Sequence, residues 1–350
     1  MIGVIGYGCY LPYFRIKLSE IAEAWNLKIK APGEKTVPSH DETTLSLGYN
    51  AAIDAVNHAN IDPGDLGAVF FCSISGMIES SLAQDIAIGV GAENSVTLVD
   101  LNGSPRAITS AIILCIDAIK SGRIKNGLVV GADILVGGPG SPIGSAGSEY
   151  VSAAGAGALV LGENGTIADI ERSSSINSPI KPRWRSLRDE YPRLGDGRFI
   201  RDYGFIANVT KAGRNLIEKM NRKDYTHILL QQPHAQWLGR ALGKLGVQKQ
   251  DLKNKLTGPG SIIGKFGDIG CGCIPVGLAD ILDIANANDT ILAISYGSGG
   301  SDAISIKVNQ NIESRPKKDK SIKYYSEKKQ YVNYNTHLKY NKVIEKYREY

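Results

Sequence analysis

Short runs of Val, Ile and Leu, each closed by Gly or Ser, alternate along this chain with longer stretches whose apolar residues return every three to four positions. A short continuous apolar run marks a strand buried on both faces, and the longer period marks a helix with one face against a sheet. The runs predict strands over residues 2–6, 68–73, 127–131, 158–161, 227–231, 290–296 and 303–308. The period predicts helices over 45–59, 107–121, 209–220, 237–245 and 274–285. Strands alternating with helices imply parallel neighbours joined by crossovers.

The pattern repeats. LGAVFFCSISG, a long helix, NGLVVGAD and a glycine-rich hairpin ending in ALVLG are echoed by THILLQQPHAQ, further helices and DTILAISYGSGGSDAISIKV. Two similar halves suggest an internal duplication, divided here into 1–165, an ordered Arg/Pro/aromatic-rich insertion at 166–205, a second half at 206–308 and a basic tail at 309–350. The segment KPRWRSLRDEYPRLGDGRFIRDYGF is too rich in aromatics for a flexible linker and is expected to lie ordered over the surface.

Composition narrows the class. With 350 residues and 43% apolar content, a large core can be buried. The five cysteines are odd in number and sit in apolar segments, as reduced core thiols do. The opening MIGVIGYGCYLP lacks a basic region and no apolar run is long enough to span a bilayer, so the expectation is a cytoplasmic protein without membrane contact. Residues 315–350 hold eleven Lys/Arg against four Asp/Glu, which leaves the rest at −2 out of a total of +5. Seven tyrosines in that basic segment favour a partly helical tail folded onto the body, with its lysines in solvent, over a nucleic-acid arm.

Three local motifs have bland readings. Gly3, Gly6 and Gly8 lack the third glycine and the acidic residue of a dinucleotide loop. Cys271 and Cys273 have no second pair to complete a metal site and read as small residues at a helix start. His234 stands alone after a strand, where a histidine is more often structural than catalytic.

The segments DLNGSPRAITSA, SGRIKNGLVVGAD, SEYVSAAGAGALVLG and YGSGGSDA, with GYGCYLPYFRI, PSHDETTLSLGYNAA and YYSEKKQYVNY, run the length of the chain and resemble the archaeal HMG-CoA synthases. The resemblance implies an α/β thiolase-like fold: two duplicated βαβαβαββ halves in a five-layer αβαβα arrangement, usually dimeric, with coenzyme A thioesters as substrate or ligand and no metal or other cofactor. It also implies a nucleophilic cysteine at a helix N-terminus, a general acid/base glutamate, a polarising histidine and a loop asparagine. Those positions fall on Pro105, Ile74, Gln231 and Asp268.

Four departures in one site lead to the expectation that no residue is catalytic. Ile74 and Pro105 would then fill the acyl site, leaving little open volume between Ile74, Pro105, Gln231 and Asp268. The pattern further resembles the cysteine-less subunit of the multi-component phloroglucinol acyltransferase. That likeness implies a catalytically silent homodimer, structural in a complex with a thiolase-like catalytic subunit and a small zinc-ribbon/OB-fold protein, and binding no nucleic acid. The alternative is an acyl-CoA-dependent acyltransferase or HMG-CoA synthase-like enzyme with an altered site. Ser104 is its candidate nucleophile, although Gln231 cannot act as a base toward it.

Overall fold

The computed structural model describes residues 1–26, 32–137, 146–186, 188–189 and 191–343; the last seven residues of the basic tail lie outside the described residues. The first half runs β1 (Gly3–Tyr10), α1 (Thr44–Ala59), β2 (Leu66–Ser73), α2 (Leu82–Val90), β3 (Thr97–Asn102), α3 (Ala107–Lys120), β4 (Asn126–Ile134) and β5 (Ala154–Gly162). The second runs β6 (Ala168–Ser178), α4 (Ala207–Met220), β7 (His227–Leu230), α5 (Ala235–Lys244), α6 (Cys273–Leu282), β8 (Thr290–Ile294) and β9 (Gly299–Val308).

Hydrogen bonds set the strands in the order β7-β8-β9-β6-β1-β5-β4-β2-β3. The first half contributes the order third, second, fourth, fifth, first. The second half contributes second, fourth, fifth, first, with no third strand among the described residues. In each half the second and fourth strands run parallel and the fifth is antiparallel to its neighbours. The duplication expected from the sequence is therefore visible as a repeated strand order. β1 and β6 join the two sheets through Gly3 and Val4 alone.

Alternating residues of each strand face opposite layers, as the pleat requires. Val69 and Val130 pack with Leu47, Ala51 and Ala55 of α1 on one outer side, while Val129 and Leu159 turn inward to Ile108 and Ile112 of α3. On the other sheet Ile291 and Ala293 face Ile274 and Ile281 of α6, while Leu292 and Ile294 face Val209 and Leu216 of α4. The layers are α1/α2, sheet, α3/α6, sheet, α4/α5. Buried aliphatics of this kind each contribute about 1.5–3 kcal/mol, and the central helix pair packs them against the inner faces of both sheets.

Two expectations need correction. Residues 168–178, assigned to a surface insertion, form β6, whose serine-rich sequence hides a two-residue alternation behind polar side chains. In the tail, the Lys318 side chain is buried and its Nζ donates to Asp54 Oδ2, while Tyr325 Oη donates to the Cys9 carbonyl at 2.9 Å. The opening glycines serve packing: a Cβ on Gly6 would lie 2.4 Å from the Ala59 backbone nitrogen and one on Gly8 2.2 Å from the Ala51 carbonyl oxygen, so only glycine lets α1 approach β1.

Candidate active site

A cavity of about 1450 Å³ opens beyond the C-terminal ends of β2 and β7 and in front of the head of α3. Parallel strands leave their loops there, which makes the position a natural ligand site in α/β proteins. Ile74, Pro105, Gln231 and Asp268 all line it. The expectation that the two apolar residues fill the site is thus overturned: they form part of the wall, and the volume exceeds the roughly 300–1,000 Å³ common for ligand pockets.

At the head of α3, the Arg106 amide donates to Ser104 Oγ at 3.3 Å and the Ala107 amide to the Ser104 carbonyl at 2.9 Å. Ser104 acts as a helix cap with Pro105 behind it, where a missing N–H costs nothing. A Cβ on Gly297 would meet Ser104 Oγ at 1.9 Å, so the hydroxyl is pressed against the loop before β9 and is not among the cavity-lining residues. Arg106 donates to the Gly299 carbonyl and pairs with Asp302 at 2.8 Å, which fixes the helix head against the second half.

Gln231 continues β7; its Nε2 donates to the Gly270 carbonyl at 2.9 Å, while its buried Oε1 has no partner. Asp268 lies half-buried beneath it, its amide donating to the Val151 carbonyl and its Oδ1 accepting from the Gly270 amide at 3.0 Å. Burial raises its carboxyl to about 6, with the Gly270 N–H and the nearby Arg183 charge pulling the other way.

Several functional groups were not singled out from sequence. Asp133, at the end of β4, accepts from Ser73 Oγ, the Ile74 and Ser75 amides and Ser75 Oγ through Oδ1, and from the Cys271 amide through Oδ2, all at 2.7–2.9 Å. It sets the Ile74 wall against the turn ahead of α6. Arg183, in the segment read as a surface insertion, is half-buried in the cavity, and burial pulls its guanidinium below its ordinary range. Tyr296 lines the cavity too, while its Oη is buried against Gly204 with no hydrogen-bond partner among the described residues. An isolated Asp closing an apolar strand was the one available sequence signal.

His234, read as structural, does line the cavity; it caps α5 through Nδ1, stacks on Trp237 at 5.4 Å, and burial lowers its pKa. Cys271 and Cys273 are buried at the start of α6, and burial pushes both thiols up, out of the range of a reactive thiolate. Cys271 Sγ lies 3.6 Å from the Ser104 carbonyl. Asp268, with its carboxyl raised to about 6, is placed to exchange a proton with a ligand near neutrality.

Five layers, a repeated half and a cavity facing the head of the central helix define a thiolase-fold protein. Solved structures agree on the fold: an HMG-CoA synthase complexed with CoA superposes with a TM-score of 0.83 over 97% of this chain and 89% of that one at 15% identity. A 3-oxoacyl-[acyl-carrier-protein] synthase III from Aquifex aeolicus gives 0.75 over 88% of this chain and 100% of that one at 20% identity. No protein-family model matches. Curated hydroxymethylglutaryl-CoA synthases from Methanocaldococcus jannaschii and Methanosphaera stadtmanae are each 36% identical over 98% of this chain and 99% of their own length, and that of Archaeoglobus fulgidus is 35% identical over the same shares. The chain belongs to the hydroxymethylglutaryl-CoA synthase family.

Those relatives overturn the expectation of a catalytically silent structural subunit. They carry the name of an enzyme along nearly the whole chain, and the cavity is open where that expectation required it to be filled. Among the described residues no helix is long and apolar enough to cross a membrane, and no group of side chains could hold a metal ion.

Proposed function

We propose that this chain is an acyltransferase of the HMG-CoA synthase type, acting on a coenzyme A thioester with an active site altered at Ile74, Pro105, Gln231 and Asp268. The observation that carries the reading is the cavity of about 1450 Å³ that reaches all four positions. Pro105 offers no thiol, so the acyl group stays on its CoA carrier. Asp268 is the proton carrier: a carboxyl near 6 is ionised in most molecules at neutral pH and is readily reprotonated. It removes a proton from the carbon beside the thioester carbonyl, and the resulting enolate attacks the thioester carbonyl carbon of a second acyl-CoA; the C–S bond breaks and CoA leaves as a thiolate that takes up the proton held by Asp268.

The test has two parts. Calorimetric titration with CoA and acetyl-CoA should give saturable binding, and mixing acetyl-CoA with acetoacetyl-CoA should release free thiol in proportion to enzyme. No heat from either ligand and no thiol release would overturn the reading.

We further propose a homodimer, supported by the position of β3 at one edge of the sheet with Leu98 exposed. Association with a thiolase-like subunit and a small zinc-ribbon/OB-fold protein, implied by the likeness to the phloroglucinol acyltransferase, is part of this proposal as an addition to the chain's own chemistry.

A further inference from the structure

Gln231 is buried, and its backbone is fixed where its amide donates to the Ile294 carbonyl at 2.7 Å. From there its Nε2 reaches the Gly270 carbonyl at 2.9 Å. The other end of the same peptide unit, the Cys271 amide, donates to Asp133 Oδ2 at 2.8 Å. One peptide plane is thus gripped at both its oxygen and its hydrogen. Gly270 sits at φ +58°, in the left-handed region that glycine enters freely, and a Cβ there would stand 2.1 Å from Asp133 Oδ2. With the plane after it fixed, the Gly270 N–H is aimed at Asp268 Oδ1, 3.0 Å away. Asp268 is also tied at its backbone, its amide donating to the Val151 carbonyl at 2.7 Å and its carbonyl accepting from the Ala153 amide at 3.0 Å. Among the described residues its Oδ2 has no hydrogen bond and is not a buried atom, which leaves that oxygen open to the cavity.

We propose that Gln231 is a positioning residue: through the Gly270 peptide it holds Asp268 Oδ1 in place and leaves Oδ2 to take and return the substrate proton. The proposal rests on the reading of Asp268 as the proton carrier. Gln231 keeps one buried oxygen without a partner, a cost that an apolar side chain of the same shape would avoid and that the bond from its nitrogen to Gly270 offsets. An N–H donated to a carboxylate favours the charged form. When the Gly270 bond is loosened, burial is less opposed and Asp268 holds its proton more tightly. The other charges acting on Asp268 are those of Arg183 and Asp133, and its own charge acts on the Cys271 and Cys273 thiols. A change at Gln231 replaces none of them.

Gln231→Met removes the N–H and keeps the length of the side chain, and Gln232→Met is the control. Gln232 is buried as well and bonds the Gly260 carbonyl and the Ile262 and Ile263 amides, but it does not line the cavity. The Asp268 carboxyl is followed by NMR of protein isotope-labelled at its aspartate carboxyl carbons, its signal assigned by its loss in Asp268→Asn. In the unmodified protein its midpoint should lie at about 6. In Gln231→Met the midpoint should rise by about half to one pH unit, with the acid limb of thiol release moving in step. Gln232→Met should lower the urea midpoint and move neither. An Asp268 midpoint unchanged in Gln231→Met, or moved as far in Gln232→Met, would overturn the positioning role. A midpoint that moves as expected in a protein that releases no thiol would uphold the link from Gln231 to Asp268 and overturn the acyltransferase reading instead.

Discussion

At position 268 a single carboxyl couples chemistry to stability. Asp268 is raised from 3.8 to about 6, so the folded protein holds its proton more tightly than the unfolded chain does. The associated stability is present below about pH 4 and is lost as pH rises through 6. Asp268→Asn, which places a neutral amide of the same shape, should leave stability unchanged at pH 4 and raise it by roughly 1–2 kcal/mol at pH 7.5, less than the full shift implies because the group opens onto the cavity. Urea denaturation at both pH values checks the sign. If Asp268 is the proton carrier, thiol release by the unmodified protein falls below pH 6, and the variant loses on the order of 100-fold in rate at pH 7.5. A variant that gains stability and keeps its rate would leave Asp268 a structural group.

Between residue and fold, Asp133 ties the ends of β2 and β4 to the start of α6 through five donors. Asp133→Ala strands the buried amides of Ile74, Ser75 and Cys271, which should cost about 3–5 kcal/mol. Asp133→Asn keeps one acceptor oxygen but turns an NH₂ toward donors, so its loss should be smaller, and the two urea midpoints should fall in that order. Elements with apolar runs were legible in advance: β2 and α1 lie within two residues of their predicted bounds. β6 was not, because Glu171, Arg172 and the serines at 173–175 carry no apolar alternation and its burial comes from β9, far along the chain. The floor was legible only in part. Resemblance located Pro105 and Asp268, but nothing local marks Arg183, which the fold brings to the same cavity from the segment between the halves.

For the molecule as a whole, the described sheet has two ends, β7 and β3, and Leu98 leaves apolar surface on the second. Light scattering at micromolar concentration should give twice the chain mass of 37.6 kDa, and Leu98→Lys, which charges that edge, should shift the protein toward the monomer. A strictly monomeric unmodified protein would sink the homodimer. The duplication was readable as an echo of motifs, while the five layers came from the family resemblance alone, because no spacing in the sequence says that both sheets cover the same helix pair.

The tail gives the architecture a direction in time. Tyr325 closes over Cys9, Lys318 reaches Asp54, and Gln330 and Tyr331 pair with Phe14 and Arg15 near the start of the chain. On a ribosome the first half therefore emerges with an open flank that stays uncovered until some 150 further residues have been added. Contacts of such separation form late and slowly. Nascent chains halted before residue 318 should accordingly depend on a chaperone that shields Ile16 and Val37, and release of the full tail should end that dependence.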